Sequence, residues 1–140
     1  MAGETINKES AAWHNIITAA AVADDGLSAQ STAISATSLT ADEELYPLLD
    51  FKLTYSAGTT PTVNTTVDVY RRPKGDGTNK APAPESIAGG DYRQQYVGSF
   101  VLDAAAFTQY YYLFGVSNVD PDATFYLVNR GGQSLTLALD

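Results

Sequence analysis

The sequence predicts an all-β fold: an antiparallel, jelly-roll-like β-sandwich of about eight short strands. First, apolar and polar residues alternate in several short segments, which is the pattern of strands with one buried face. Second, clusters of Gly, Pro, Asn, Asp, Ser and Thr separate these segments, as turns do in all-β proteins. Third, a chain of 140 residues is long enough to form one domain with its own core. We expect residues 1–11 to form a flexible polar arm and residues 12–140 to form a single β-sandwich domain.

The first two predicted strands are rich in alanine, serine and threonine. Alanines in residues 12–22 also permit a helix, but the β-branched run Ile16–Thr18 favours a strand that ends at Asp24–Gly26. Small and β-branched residues predict a second strand near Thr32–Leu39, at a sheet edge. Thr40–Glu43 matches a helical capping box, so one short helical turn is possible before the next strand.

Strict alternation predicts the next two strands, over Leu49–Tyr55 and over Thr65–Tyr70. The segment from Arg72 to about Asp91 is rich in proline and glycine and is predicted to form a long irregular loop. It is longer than most connections in compact domains, and such loops are often functional or disordered.

Four further strands are predicted around Tyr96–Leu102, Tyr110–Val116, Phe125–Val128 and Leu135–Leu139. Asn129–Gly132 is predicted to be a hairpin turn, because paired glycines accept positive φ. In the strand with three consecutive tyrosines, one face is expected to carry Tyr110, Tyr112, Phe114 and Val116, and the other Tyr111 and Leu113. One of these faces belongs to the core, and the other is either sheet rim or an exposed contact surface.

The charge balance argues against nucleic acid and anionic membranes as partners. The chain has 8 Lys and Arg residues against 16 Asp and Glu residues, a formal net charge of −8. Proteins that bind phosphate backbones need a basic stripe, and here only Arg71, Arg72 and Lys74 cluster. The sequence shows neither a secretion signal near Met1 nor an apolar run of about 18 residues that could span a membrane.

The residue types that catalyse reactions or hold metals are scarce. There is no cysteine, and His14 is the only histidine, which predicts a structural side chain rather than a base or ligand. The acidic groups, including Asp120 and Asp122, do not match a calcium loop, and Gly75–Lys80 lacks the spacing of a phosphate-binding loop. We therefore expect no catalytic residue, no cofactor, no metal site and no enzymatic activity. A glycosidase that uses Asp120 and Asp122 remains a minor alternative.

Several short segments occur together in an order that resembles small virion proteins of tailed bacteriophages and prophages. These segments are Asp68–Pro73, Asp76–Asn79, Ala81–Pro84, Tyr96–Phe100 and Asn129–Leu135. They form a structural pattern without a catalytic signature. The resemblance implies a β-sandwich module on the particle, of the type that decorates or cements a capsid.

The resemblance covers residues 46–139 and leads to a functional expectation. We expect a decoration protein that assembles in the bacterial cytoplasm, binds the major capsid protein on the outside of the virion, and stabilises the head. A homo-oligomer is expected, and the symmetry of a shell suggests a trimer. The alternative is a tail or head-fibre component involved in host attachment, whose long loop or exposed tyrosines bind glycan.

The arm and the loop over residues 72–91 are the expected contact elements, and the tyrosine strand is expected to supply core and a subunit interface. The candidate contact residues are Ile6, Trp13, Arg71, Arg72, Lys74, Asn79, Tyr92 and Tyr111.

Overall fold

The computed structural model describes residues 13, 15–31, 48–56, 58–73, 96–117 and 123–140. Within these residues there are seven strands: β1 (Ile17–Val22), β2 (Leu48–Tyr55), β3 (Thr66–Arg72), β4 (Tyr96–Val101), β5 (Gln109–Ser117), β6 (Thr124–Arg130) and β7 (Leu135–Leu139). They form a four-stranded sheet in the order β1-β7-β2-β5 and a three-stranded sheet in the order β4-β3-β6. All pairings are antiparallel. The predicted all-β sandwich is confirmed, with seven strands rather than about eight.

The strands pair as in an antiparallel ribbon that is rolled up on itself. β1 pairs with β7, β2 with β5, and β3 with β4. Segment 27–31 runs beside β6, where Leu27 bridges Val128 and the Ser28 N–H donates to the Leu127 carbonyl at 2.8 Å. This irregular segment therefore occupies the place of an eighth strand, and the first-with-last pairing is that of a jelly roll.

Several expected elements fall outside the described residues. They are the arm over residues 1–11, the strand near Thr32–Leu39, the helical turn at Thr40–Glu43, and nearly all of the loop over residues 72–91.

The core lies between the two sheets and is built from the alternating positions that the sequence predicted. Phe51 of β2 and Phe125 of β6 meet across it, edge to face, with ring centroids 4.9 Å apart. Each fully buried side chain of this size contributes roughly 1.5–3 kcal/mol through apolar burial. Among the described residues, the largest side chains with less than 2% exposure are Tyr55, Phe51, Phe125, Leu53, Leu102, Leu127, Leu135, Leu137, Leu139, Val67, Val69 and Asn129.

The connection between β6 and β7 crosses from one sheet to the other. The two strands belong to different sheets, so the predicted hairpin at Asn129–Gly132 is wrong. The physical reason is that β7 pairs with β1 and β2 while β6 pairs with β3, which places the two strands on opposite sides of the core. The expectation that this turn uses a glycine with positive φ nevertheless holds, because Gly132 has a φ of 80°.

A β-bulge interrupts the alternation of β5. Phe114 and Gly115 stand opposite the single residue Asp50, Gly115 has a φ of 69°, and its N–H donates to Asp50 Oδ1 at 2.8 Å. The extra residue reverses the alternation, so Val116 packs against the core. The prediction that Val116 shares one face of the strand with Tyr110 is therefore wrong.

Candidate functional site

An exposed aromatic cluster lies on the outer side of the four-stranded sheet. Tyr110, Tyr112 and Phe114 point outward from β5 and are 58%, 50% and 66% exposed. Trp13, which precedes β1 in the sequence, lies against Tyr112 with ring centroids 5.8 Å apart. These four residues are called the aromatic face below.

The rings of the aromatic face form a row over the sheet. Tyr112 and Phe114 are parallel, with an interplanar angle of 1° and centroids 5.8 Å apart. Lys52 of β2 is the cross-strand neighbour of Tyr112, and its Nζ lies 5.3 Å from the centroid of the Trp13 ring. At this distance a lysine interacts with the ring as a cation–π pair, which helps to hold Trp13 on the sheet.

A small polar group borders the row. Lys52 Nζ lies 2.7 Å from Asp140 Oδ2, and Asn15 Nδ2 donates to Asp140 Oδ1 at 2.9 Å. Burial alone would raise the pKa of Asp140, but hydrogen bonds from Lys52 and Asn15 and the lysine charge outweigh it and lower this pKa. The carboxylate therefore stays ionised and keeps the lysine in place beside the aromatic rings.

This arrangement suits the binding of another molecule. Large apolar side chains that share one exposed face are uncommon on a monomer and often mark an interaction site. Tyrosine and tryptophan bury a large area on contact and keep a polar tip, which is why they are enriched at protein interfaces. The site has a rigid base, since β5 pairs with β2 over most of its length.

Tyr111, a predicted contact residue, has a structural position. Its side chain is half-buried and packs against the core, on the opposite side of β5 from the aromatic face. The hydroxyl donates to Gln109 Oε1 at 2.6 Å and accepts from the Asp103 N–H at 3.0 Å. Tyr111 thus ties the β4–β5 connection to β5.

The predicted arginine pair lies away from the aromatic face, at the end of β3. Arg71 and Arg72 are half-buried, and as strand neighbours they point to opposite faces, so they do not form one basic patch. Arg72 Nη1 donates to Gln30 Oε1 at 3.5 Å, and Gln30 also accepts from the Tyr126 hydroxyl at 3.0 Å. Four other candidates lie outside the described residues, namely Ile6, Lys74, Asn79 and Tyr92.

The outer side of the three-stranded sheet carries a polar network instead of an apolar row. Asp68 of β3 accepts from Arg130 Nε at 2.7 Å and from the Ser99 hydroxyl at 2.5 Å. The Tyr96 hydroxyl lies 2.7 Å from Ser99 Oγ and extends the network. The hydrogen bond to Asp68 raises the pKa of the Arg130 guanidinium, although burial opposes this shift. These groups satisfy one another, and their contacts are structural.

Of the predicted contact residues that the structure describes, only Trp13 belongs to the aromatic face. Sequence reasoning placed Tyr110, Tyr112 and Phe114 on one side of a strand but could not tell which side is buried, because both sides are apolar or aromatic. No signal within the residues of β5 itself could have decided it, because aromatic side chains occur both in cores and at interfaces. No sequence pattern indicated that Lys52 would lie beside Trp13.

Neither a metal cluster nor a membrane-spanning helix occurs among the described residues. In this part of the chain, no three His, Asp or Glu side chains are grouped so that they could hold a metal ion. The same residues contain no helix with the length and apolarity needed to cross a membrane. Comparison with protein-family models, curated proteins and solved structures found no match for this chain.

Proposed function

We propose that this protein is a virion structural protein of a tailed bacteriophage, which decorates the outside of the capsid and stabilises the head. Its role is mechanical: each copy binds the major capsid protein, bridges neighbouring subunits, and adds binding free energy that opposes their separation. The role needs neither a cofactor nor a catalytic step.

The aromatic face is the observation that carries this proposal. Interfaces draw most of their binding free energy from a few buried aromatic and arginine side chains surrounded by a rim that excludes water. Trp13, Tyr112 and Phe114 offer such anchors, and the ion pair between Lys52 and Asp140 offers part of a polar rim. Because Tyr112 and Phe114 lie on a strand that is paired with β2, little backbone entropy is lost when they are buried.

Two features of the sequence support the same proposal. The segments between residues 68 and 135 resemble small phage virion proteins, and the resemblance implies a β-sandwich on the particle. The chain has no cysteine, which agrees with assembly in a reducing bacterial cytoplasm, where disulfides seldom persist.

The position and number of copies on purified particles test the proposal. Particles made from the genome that encodes this chain are labelled with an antibody or a small fusion tag and imaged by electron microscopy. A decoration protein is expected in many copies spread over the shell, and particles that lack it should break at lower temperature. A few copies at the tail or at one vertex, or no copies at all, would contradict the proposal.

Host attachment is the second candidate function, and the composition of the aromatic face is the observation that favours it. Aromatic rings can stack on sugar rings, and the side chains of Asn15, Lys52 and Asp140 beside them can form hydrogen bonds with sugar hydroxyls. In this role the isolated protein binds glycans of the host surface, and this binding is lost when Trp13 and Tyr112 are replaced. The copy number per particle would then be low.

A further inference from the structure

We propose that β5 pairs edge to edge with β5 of a second copy of this chain, so that the two four-stranded sheets join into one continuous sheet. The pairing is antiparallel and is related by a twofold axis. It uses the backbone edge of β5, whereas the proposed contact with a capsid uses the aromatic face. The inference goes beyond the proposed function and does not depend on it.

In the described part of the chain, β5 is an edge strand with little protection against pairing. On one side it pairs with β2, and on the other side no strand pairs with it in the described part of the chain. β5 spans nine residues, Gln109–Ser117, and includes neither a charged residue nor a proline. Natural edge strands avoid association through charges, prolines, bulges, short length or a covering segment. β5 has one bulge, at Phe114 and Gly115, and its residues 109–113 form a regular, uncharged edge that can pair with another strand.

The other sheet edges are less suited to pairing. The outer edge of β6 is covered by segment 27–31, whose backbone bonds to Leu127 and Phe125. β1 spans six residues, and the bulge between Ile17 and Ala20 leaves only Ala20–Val22 in regular register, against five regular residues in β5. β4 is also short and lies on the same side of the sandwich as β5, where Gly98 faces Leu113. In a dimer joined through β5, the uncharged edges of the two β4 strands would therefore also lie near each other.

The side chains of β5 are also complementary to those of a second, antiparallel copy of the strand. Its regular part, before the bulge at Phe114, spans residues 109–113 and is centred on Tyr111. In a twofold antiparallel pair centred there, Tyr110 of each copy lies opposite Tyr112 of the other. Aromatic cross-strand pairs are among the most favourable in antiparallel sheets. No like charges meet along the strand, although each copy has a net charge of −8.

The pairing has a consequence for the aromatic face. Two copies of Tyr110, Tyr112 and Phe114 would lie side by side on one sheet, which doubles the exposed aromatic surface that a partner can contact. Binding through two joined copies strengthens attachment without any new kind of contact. A twofold pair also differs from the trimer expected from shell symmetry, so the oligomeric state distinguishes the two.

Disulfide trapping tests the pairing cleanly, because the chain contains no cysteine. The double variant Tyr110→Cys/Tyr112→Cys replaces two exposed tyrosines and keeps the backbone edge that carries the pairing, so the trap tests that edge without the aromatic pairs. Position 110 of each copy then lies opposite position 112 of the other. Directly opposed residues have Cβ atoms about 4.5–5.5 Å apart, close to the range that a disulfide bridges, whereas residues 110 and 112 of one strand are too far apart. The matched control, Ala19→Cys/Ala21→Cys, places two exposed thiols on β1, at the other edge of the same sheet.

We expect mild oxidation to convert the β5 variant mainly into a disulfide-linked dimer, while the β1 variant remains largely monomeric. A β5 variant that stays monomeric, or equal cross-linking of both variants, would overturn the proposal. Sedimentation of the unmodified protein over a range of concentrations gives a second measurement. In this measurement, the dissociation constant of the dimer should rise at least tenfold in Tyr112→Glu but not in Ala21→Glu. A trimer, or equal behaviour of the two glutamate variants, would also overturn it.

Discussion

Replacement of Asn129 by alanine tests how the two sheets are joined at the end of the sandwich where the β6–β7 connection lies. Asn129 is fully buried. Its Nδ2 donates to the carbonyls of Val22 at 2.8 Å, Ala23 at 3.2 Å and Gln133 at 2.7 Å, and its Oδ1 accepts from the Gly131 N–H at 2.8 Å. One side chain therefore ties the end of β1 to the connection between β6 and β7.

The size of the effect follows from which groups are left without a partner. The bonds to Val22 and from Gly131 are buried, and each buried polar group that loses its partner costs about 1–3 kcal/mol. The carbonyls of Ala23 and Gln133 are partly buried and can turn to solvent at lower cost. We expect Asn129→Ala to lower the free energy of unfolding by about 2–5 kcal/mol, a large part of the stability of an ordinary domain.

Urea unfolding followed by far-ultraviolet circular dichroism measures this difference. Gln133→Ala is the matched control, because it removes a half-exposed side chain at the same corner and leaves the carbonyl that Asn129 binds. The control should unfold within about 0.5 kcal/mol of the unmodified protein. A loss below about 1 kcal/mol for Asn129→Ala would contradict this expectation, because it would mean that the bonds of Asn129 are replaced without cost.

Three further predictions concern stability. Burial, and after it the charge of Tyr111, raises the pKa of Tyr55. The free energy of unfolding should therefore fall as the pH rises above the unfolded value of 10.0, because the unfolded chain loses the Tyr55 proton more easily. In alkaline unfolding experiments, Tyr55→Phe should reduce that fall. Gly132→Ala should lower the melting temperature, because φ is 80° and the new Cβ would lie 2.5 Å from Thr62 Oγ1; an unchanged melting temperature would contradict this. The pKa of Asp140 is lowered, so its contribution to stability is present above the unfolded value of 3.8 and is lost as the pH falls through the folded value. Lys52→Met removes the ion pair, so in urea unfolding this variant should lose less stability between neutral and acid pH than the unmodified protein does.

The buried side of most strands could be predicted from alternation alone. Leu135, Leu137 and Leu139 all face the core, as do Val67 and Val69, because a strand with one buried face repeats every two residues. This rule fails where an extra residue enters a strand, as it does in β5.

Features that depend on distant parts of the chain could not be read from the sequence. Two strands separated by a glycine-rich turn predict a hairpin. The partners of β6 and β7 depend instead on how the whole chain folds, and the two strands belong to different sheets. The position of Trp13 depends on Lys52 and Tyr112, which are far from it in sequence. The exposed side of β5 is decided by the opposite sheet, where Gly98 makes room for Leu113.

Docking of the aromatic face on the capsid is tested most directly by comparing two phenylalanines that are equally exposed. Phe114 belongs to the aromatic face and is 66% exposed, while Phe107 lies in the β4–β5 connection and is 67% exposed. The measurement is the binding of each serine variant to particles from which this protein has been removed. We expect Phe114→Ser to bind at least about tenfold more weakly than the unmodified protein and Phe107→Ser to bind as well as the unmodified protein does. Equal binding by both variants, or a loss confined to Phe107→Ser, would contradict the claim that the aromatic face docks on the capsid.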